Sequence, residues 1–358
     1  MRILAIETSC DETAVAILEI DGPLEKPNIK VLGNSLFSQV HLHEKYGGVY
    51  PNLAKREHEK NLPPLLEKTI KEAGTSDVDF IAVTQGPGLE PALWVGIGFA
   101  IELGKKWNKP VVPIDHMEGH IYSVLYQDKF SISNSQFPKL ELPALALLVS
   151  GGHTELVDVK DFGHYEIIGQ TLDDAVGEAF DKVARMLGLP YPGGPEISRL
   201  ANQARNSQFT ISNLQFPRPM INSKNFNFSY SGLKTAVLYY LKGKDITNGL
   251  KQEVARAFED AAVEVLIEKT RRALLKLGSS VKTLIVAGGV SGNTYLTGEL
   301  EKLMSEFPEI SLRLPVKSLS TDNAVMIGIA AFIKASRQPE ILEQKVEIRA
   351  SGNLALTV

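Results

Sequence analysis

The strongest constraint on this chain is an order of elements that occurs twice. "RILAIETS" reads as a strand that breaks at Thr8–Ser9, "TAVAILEI" (13–20) as a second strand and "KVLGNSLFSQV" (30–40) as a third. Each is rich in β-branched and apolar residues and is bounded by turn residues, the mark of a strand meander. A helical pattern follows at roughly 53–73, then the strand "DFIAVTQ" (79–85), a helix across "ALWVGIGFAIELGKKW" and the strand "PVVPI" (110–114). The order then restarts. "ALALLVS" (144–150), "TELVDV" (154–159) and "YEIIGQT" (165–171) form a second meander. Helices at roughly 172–187, 195–206 and 248–277 come next, then the strand "TLIVAG" (283–288), a helix to about 305, the strand "ISLRLP" and a last helix over "LSTDNAVMIGIAAFI".

The two copies share little sequence, so the repeat rests on element order. The plan is that of the actin, sugar-kinase and Hsp70-like ATPases: an α/β fold of two ribonuclease-H-like lobes around a cleft. Fold alone does not carry function. We place an N-terminal lobe at 1–130, a polar linker at 131–142, a C-terminal lobe at 143–335 and a tail at 336–358.

With 358 residues, 44% of them hydrophobic, the chain is long enough for two cores. Its net charge of -4 argues against a protein that coats nucleic acid unaided, so an RNA surface would need local patches or partners. The lone Cys10 cannot form an intrachain disulfide, which fits a reducing cytosol. The first residues read as neither signal nor transit peptide, and no apolar run reaches the roughly 18 residues of a membrane span.

The glycine-rich breaks follow strands, where α/β sheets bind ligands. "ETSCDET" (7–13) puts Asp11 and Glu12 at a hairpin that can approach a phosphate or its metal, or is simply polar. "LLVSGGHT" (147–154) is its counterpart in the second copy; two glycines let backbone N–H groups face an anion, unless the turn is ordinary. His153 follows it. "VAGGVSGN" (286–293) opens a helix, where Asn293 can read a ribose or base edge, or where the glycines serve close packing. Asp181 is either a core-edge acid or a ribose ligand, and Gly193–Gly194 permit close approach. "QGPGLEPALWVGIG" (85–98) receives no ligand role. Arg218 and Lys234, beside the aromatics of 216–237, can steer and stack RNA, or lie in an ordered loop over the core.

In "VVPIDHMEGH", Asp115 is an N-cap and His116 and His120 stand four apart, on one helix face, a spacing that suits two imidazoles on one metal, or else two surface histidines. Glu118 points elsewhere, unlike the general-base glutamate of zinc proteases. Asp322, near the start of the last helix, is the candidate third ligand, reaching across the cleft from the second lobe. Two histidines and a carboxylate leave open positions on a metal. His41, His43, His58 and His164 show no comparable spacing.

Together "AIETSCDETAVAI", "KYGGVYPNLAKREH", "TQGPG", "HMEGH", "LLVSGGHTEL", "DDAVGEAFDKVARMLGLPYPGGP", "SYSGLKTA", "ARAFEDA", "VAGGVSGN" and "STDNAVMI" occur in order over residues 1 to about 330. They resemble the tRNA threonylcarbamoyltransferase family TsaD, once labelled O-sialoglycoprotein endopeptidase or glycoprotease. The SCDET turn resembles the bacterial and organellar branch, and with no transit peptide read at the start the resemblance implies a bacterial cytoplasmic enzyme. The resemblance implies transfer of threonylcarbamoyl from threonylcarbamoyl-AMP to N6 of adenosine 37 in tRNAs reading A-starting codons. It implies that His116, His120 and Asp322 hold one divalent metal, Fe2+ before Zn2+. It implies that Leu148, Val149, Ser150, Gly151, Gly152, Asp181, Gly194 and Asn293 contact the adenylate, and that Asp11 and Glu12 are the acids of the reaction. The implied partners are tRNA, a TsaB-like paralogue through the N-terminal lobe and a TsaE-like ATPase, with no membrane. Many relatives carry an acid where this chain has Ser198, and the tail "VEIRASGNLAL" matches only loosely. The rivals are a metal glycopeptidase, an Hsp70-type ATP-binding scaffold and the paralogue TsaB, which lacks the metal histidines.

Overall fold

A computed structural model describes residues 1–127, 139–206, 213–344 and 347–356. It divides into two compact units. In the first, β1 (Arg2–Glu7) and β2 (Glu12–Asp21) pair antiparallel with Leu4 opposite Ile17 and Ile6 opposite Val15. Next, β3 (Asn28–Ser38) pairs antiparallel with β2. A short α1 (Val40–His43) and the long α2 (Pro51–Ala73) lead to β4 (Phe80–Gly86), which lies parallel to β1. Then α3 (Glu90–Trp107) leads to β5 (Val111–Asp115), parallel to β4, and α4 (His116–Tyr122) follows at once. The sheet order is β3-β2-β1-β4-β5. Leu4, Ile6, Val15, Ile17, Ile81 and Val83 pack against Leu62, Leu66, Leu93 and Ile97 of α2 and α3. The inner strands are apolar on both faces, as in a sheet covered on both sides.

The second unit repeats the plan. β6 (Ala144–Val149) and β7 (Thr154–Asp161) pair antiparallel, and β8 (His164–Gln170) follows. Then come α5 (Val176–Met186), α6 (Gly193–Arg205), α7 (Ser231–Leu241) and α8 (Asn248–Leu277). β9 (Thr283–Ala287) lies parallel to β6; α9 (Thr294–Met304) leads to β10 (Ser311–Arg313), parallel to β9. The order β10-β9-β6-β7-β8, read from its far edge, is that of the first sheet. Among the described residues no helix is long and apolar enough to cross a membrane.

Two boundaries differ from the sequence reading. The first unit takes Met1–Glu141 together with Lys160–Tyr165 and Pro315–Val358; the second takes Leu142–Val159 and Glu166–Leu314. The last helix, α10 (Ala324–Arg337), is therefore an element of the first unit rather than the end of a 143–335 lobe. Its side chains are apolar almost all round, and it packs on β1 and β2: a Cβ on Gly328 would come within 2.5 Å of Leu18 Cδ1. The tail is not separate either. Ile348 joins the first core, and Ser351 N–H donates to Gln85 O at 2.9 Å. Most of the expected linker, residues 131–138, lies outside the described residues.

The stretch 216–237 follows the second of its two readings, an ordered segment on the core. It contains α7, whose start is held by Asp173, which accepts from Tyr230 N–H at 2.7 Å, Ser231 N–H at 3.1 Å and the hydroxyls of Ser229 and Ser231 at 2.6 Å each. Phe216, Phe226, Phe228 and Tyr230 are buried in the second core, so no base can stack on them. Arg218 pairs with Glu264 at 2.8 Å and Lys234 with Asp174 at 2.6 Å.

Candidate functional site

β5 delivers the chain into α4 through Asp115, which caps it as expected: Oδ1 accepts from Met117 N–H at 2.7 Å and Glu118 N–H at 3.3 Å. One helical turn apart, His116 and His120 face the same way, with ring centroids 4.7 Å apart and planes nearly perpendicular. Asp322 arrives just ahead of α10, whose cap is Asn323, Oδ1 accepting from Met326 N–H at 2.9 Å. Asp322 Oδ1 lies 3.3 Å from His116 Nε2 and 3.2 Å from His120 Nε2. All three side chains belong to the first unit, so Asp322 does not come from the second, as the sequence reading had it. The glycine of HMEGH has a spatial reason: a Cβ on Gly119 would stand 3.0 Å from Ile327 Cδ1 and 3.1 Å from Met326 Cγ, so its absence lets α4 and α10 approach.

The donor set fits a metal ion. One ligand atom from each of His116, His120 and Asp322 lies within 4.8 Å of the others. Ligands about 2.1 Å from a tetrahedral ion stand about 3.4 Å apart, close to the observed separations from Asp322. Among the described residues, His120 Nε2 is buried and lacks good hydrogen-bond geometry to the nearby Asp322 carboxylate. Burial also lowers the His120 pKa, which favours the neutral ring with one lone-pair nitrogen for a cation. Burial acts the same way on His116, but the carboxylates of Asp322 and Glu7 outweigh it and raise its pKa well above the ordinary imidazole value. Asp322 is held below the usual carboxylate range by His116, against its burial. Glu118 is not part of this group. Its Oε1 accepts from Tyr165 O–H at 2.9 Å, so Glu118 is not placed as the general base of a metalloprotease.

The β1–β2 turn lies in the same electrostatic neighbourhood. Asp11 is buried, and its carbonyl accepts from Gln39 N–H at 2.9 Å. Glu12 accepts from Ser38 O–H at 3.3 Å, and burial, then the charges of Asp11 and Asp322, raises its pKa well above normal. Sequence spacing gave no sign that His58 belongs here. Its Nδ1 is 2.8 Å from Thr13 Oγ1 and its Nε2 donates to Cys10 O at 3.0 Å, so it ties both sides of the turn. The QGPG loop backs the same turn: Leu89 N–H donates to Ser9 O at 2.7 Å.

In the second unit, β6 ends in the Ser150–Gly152 turn, closed by Ser150 N–H to His153 O at 2.9 Å and His153 N–H to Ser150 Oγ at 3.1 Å. Cβ atoms on Gly151, Gly152 and Gly194 would meet nothing within 4 Å, so protein packing does not require these glycines. Gly288, at φ +95°, has Val149 O at 2.4 Å from where its Cβ would be, and Gly177 has Ser150 O at 2.6 Å. These contacts bring the ends of β6 and β9 and the start of α5 together. Asp181 Oδ1 accepts from Gly193 N–H at 2.7 Å, which fixes the start of α6. Asn293 is engaged on both sides: Oδ1 caps α9 at Leu296 N–H, 2.9 Å, and Nδ2 donates to Glu259 Oε1 at 2.8 Å and Ser198 Oγ at 2.9 Å. Its amide orders the turn rather than standing free to read a ribose.

Two units with one strand order define a member of the actin, sugar-kinase and Hsp70-like class, whose first unit carries two histidines and an aspartate that could hold a metal ion. Solved structures agree on the fold: HypF of T. kodakarensis matches with a TM-score of 0.58 at 12% identity, over 96% of this chain and 49% of its own. A nucleotide-bound full-length HypF matches with a TM-score of 0.57 at 14% identity, and the chain spans about half the length of each. The family model for tRNA N6-adenosine threonylcarbamoyltransferase, TsaD, matches residues 30–329, and the chain belongs to that family. A curated relative of that name from Thermosipho africanus is 45% identical over 334 residues, 93% of this chain and 94% of the relative. Another from Paraburkholderia xenovorans is 45% identical over 345 residues, 95% of this chain and 94% of the relative. The protein is thus a transferase that modifies adenosine in tRNA.

Proposed function

We infer that the chain takes threonylcarbamoyl-AMP as donor and adenosine 37 of tRNAs reading A-starting codons as acceptor. The observation that carries this reading is the convergence of His116, His120 and Asp322 beside the Asp11–Glu12 turn in a member of this family. Adenine N6 attacks the carbamoyl carbon, the bond from that carbon to the phosphate oxygen breaks, and AMP leaves. The amine proton passes to a carboxylate of the first turn. Glu12 is biased towards its protonated form, which makes Asp11 the acceptor and Glu12 the neighbour that orients it. His116, His120 and Asp322 would hold a divalent cation, Fe2+ before Zn2+, which when bound supplies Lewis-acid polarisation of the threonylcarbamoyl oxygens.

Backbone N–H groups of Gly151 and Gly152 would receive the adenylate phosphate, with Leu148, Val149 and Ser150 shaping the approach. Gly194 leaves room for the nucleoside. Asp181 and Asn293 contribute by ordering the α6 and α9 starts. N6 is a weak nucleophile, so positioning carries much of the rate. At net charge -4 the chain would share its tRNA surface with partners, a TsaB-like paralogue through the first unit and a TsaE-like ATPase, in the cytoplasm.

The test is mass spectrometry of digested tRNA after incubation with threonylcarbamoyl-AMP and cognate partners. Threonylcarbamoyladenosine at position 37 is expected. Its absence with metal-loaded protein and both partners would leave the family membership without this donor and acceptor.

A further inference from the structure

Glu7 ends β1 and is wholly buried, an expensive place for a carboxylate. Its acceptor positions are met from three segments. Ser9 N–H donates to Oε1, Thr84 O–H donates to Oε2 at 2.6 Å, and His116 Nδ1 lies 3.1 Å from Oε2. A carboxylate that already receives two donors has only acceptor capacity to offer, so His116 Nδ1 meets it as an N–H donor. With a cation in place of the proton on the other nitrogen, the imidazole would present Nε2, the atom 3.3 Å from Asp322 Oδ1, as the ligand atom. His120 has no such support, because its Nδ1 is buried without a hydrogen-bond partner among the described residues. The two histidines are therefore unequal: one ring is locked by a carboxylate, and the other is held by packing.

We propose that Glu7 is a positioning residue that fixes the tautomer and ring angle of His116 for metal binding. Thr84 and Ser9 in turn fix Glu7. The inference rests on the reading of His116, His120 and Asp322 as metal ligands. A carboxylate–histidine–metal relay raises ligand basicity, and losing such an outer partner typically costs about 10- to 100-fold in metal affinity.

The test uses the full chain stripped of metal and titrated with Co(II) alone, read by its visible d–d bands and by competition with a chelator. Wild type, Glu7→Gln, Glu7→Ala and His120→Ala are compared, with circular dichroism as the folding control. Glu7→Gln should stay folded, bind Co(II) about 10- to 100-fold more weakly and change the band pattern. Folded Glu7 variants with wild-type affinity and bands would overturn the proposal. If wild type binds no better than His120→Ala, the ligand reading itself has failed and takes the proposal with it. If the Glu7 variants do not fold, nitrogen-15 NMR of the unmutated Zn(II)-loaded chain decides. His116 should be protonated at Nδ1 and metallated at Nε2, and the reverse arrangement would refute the role of Glu7.

Discussion

Asp322 Oδ1 stands 3.2 Å from His120 Nε2, although one residue precedes α10 near the end of the chain and the other belongs to α4 in its first third. Both sit in one compact unit, so the donor set is built by helix packing within that unit. The α4–α10 contact at Gly119 and the caps at Asp115 and Asn323 are what align it.

The two acids of the first turn should separate by function. Asp11→Asn should lower kcat by about 10²- to 10⁴-fold, the usual worth of a positioned proton acceptor. Glu12→Gln keeps a neutral, hydrogen-bonding group where the native one is pushed towards its protonated form, and should cost much less. Single-turnover rates with both variants check this, and equal losses would remove the assignment of Asp11 as base.

His58 should matter for rate without mattering for metal. It bridges Cys10 O and Thr13 Oγ1, and burial keeps it neutral by lowering its pKa. His58→Ala should loosen the turn and reduce kcat about 10- to 100-fold while metal content stays at the wild-type level. Metal loss in step with activity would place His58 in the wrong role.

Much of this was legible in the sequence, and the exceptions share a cause. Runs such as "ALALLVS" announce strands because residues buried on both faces leave an unbroken apolar signature. The i, i+4 histidines announce a helix face. What escaped depends on long-range packing. Asp322 looked like the start of a second-lobe helix because nothing local says that α10 packs on β1 and β2. Whether the aromatics of 216–237 stack RNA or cover the core stayed open, because the burial of Phe228 and Tyr230 goes with Asp173, far earlier in the chain, holding the start of α7. Glu7 looked like an ordinary strand end, since His116 and Thr84 reach it only in the folded sheet.

Stability should carry a pH signature from Glu155, which burial pushes up to about 7. Its folded value lies above its unfolded one, so the native state binds the extra proton between about pH 4.5 and 7 and stability falls as pH rises through that window. Glu155→Gln removes the penalty. Urea denaturation at about pH 8 should show the variant more stable by roughly 1–3 kcal/mol, with the gap closing near pH 4.5. A gap that does not change with pH would mean the carboxylate is not desolvated.

Gly288 should be irreplaceable for two reasons at once. Its φ of +95° disfavours any side chain, and Val149 O lies 2.4 Å from where a Cβ would be. Gly288→Ala should cost about 1–3 kcal/mol and raise KM for threonylcarbamoyl-AMP by displacing the Ser150–Gly152 turn. Denaturant midpoints and donor saturation curves measure both, and unchanged values in each would show that the turn does not depend on this contact.

The most direct test of the metal centre measures metal stoichiometry and threonylcarbamoyladenosine formation on the same preparations of wild type, His116→Ala, His120→Ala and Asp322→Asn. The account predicts about one equivalent of metal in wild type, far less in each variant, and product that falls with it. Full transfer by a variant verified to be metal-free would contradict it.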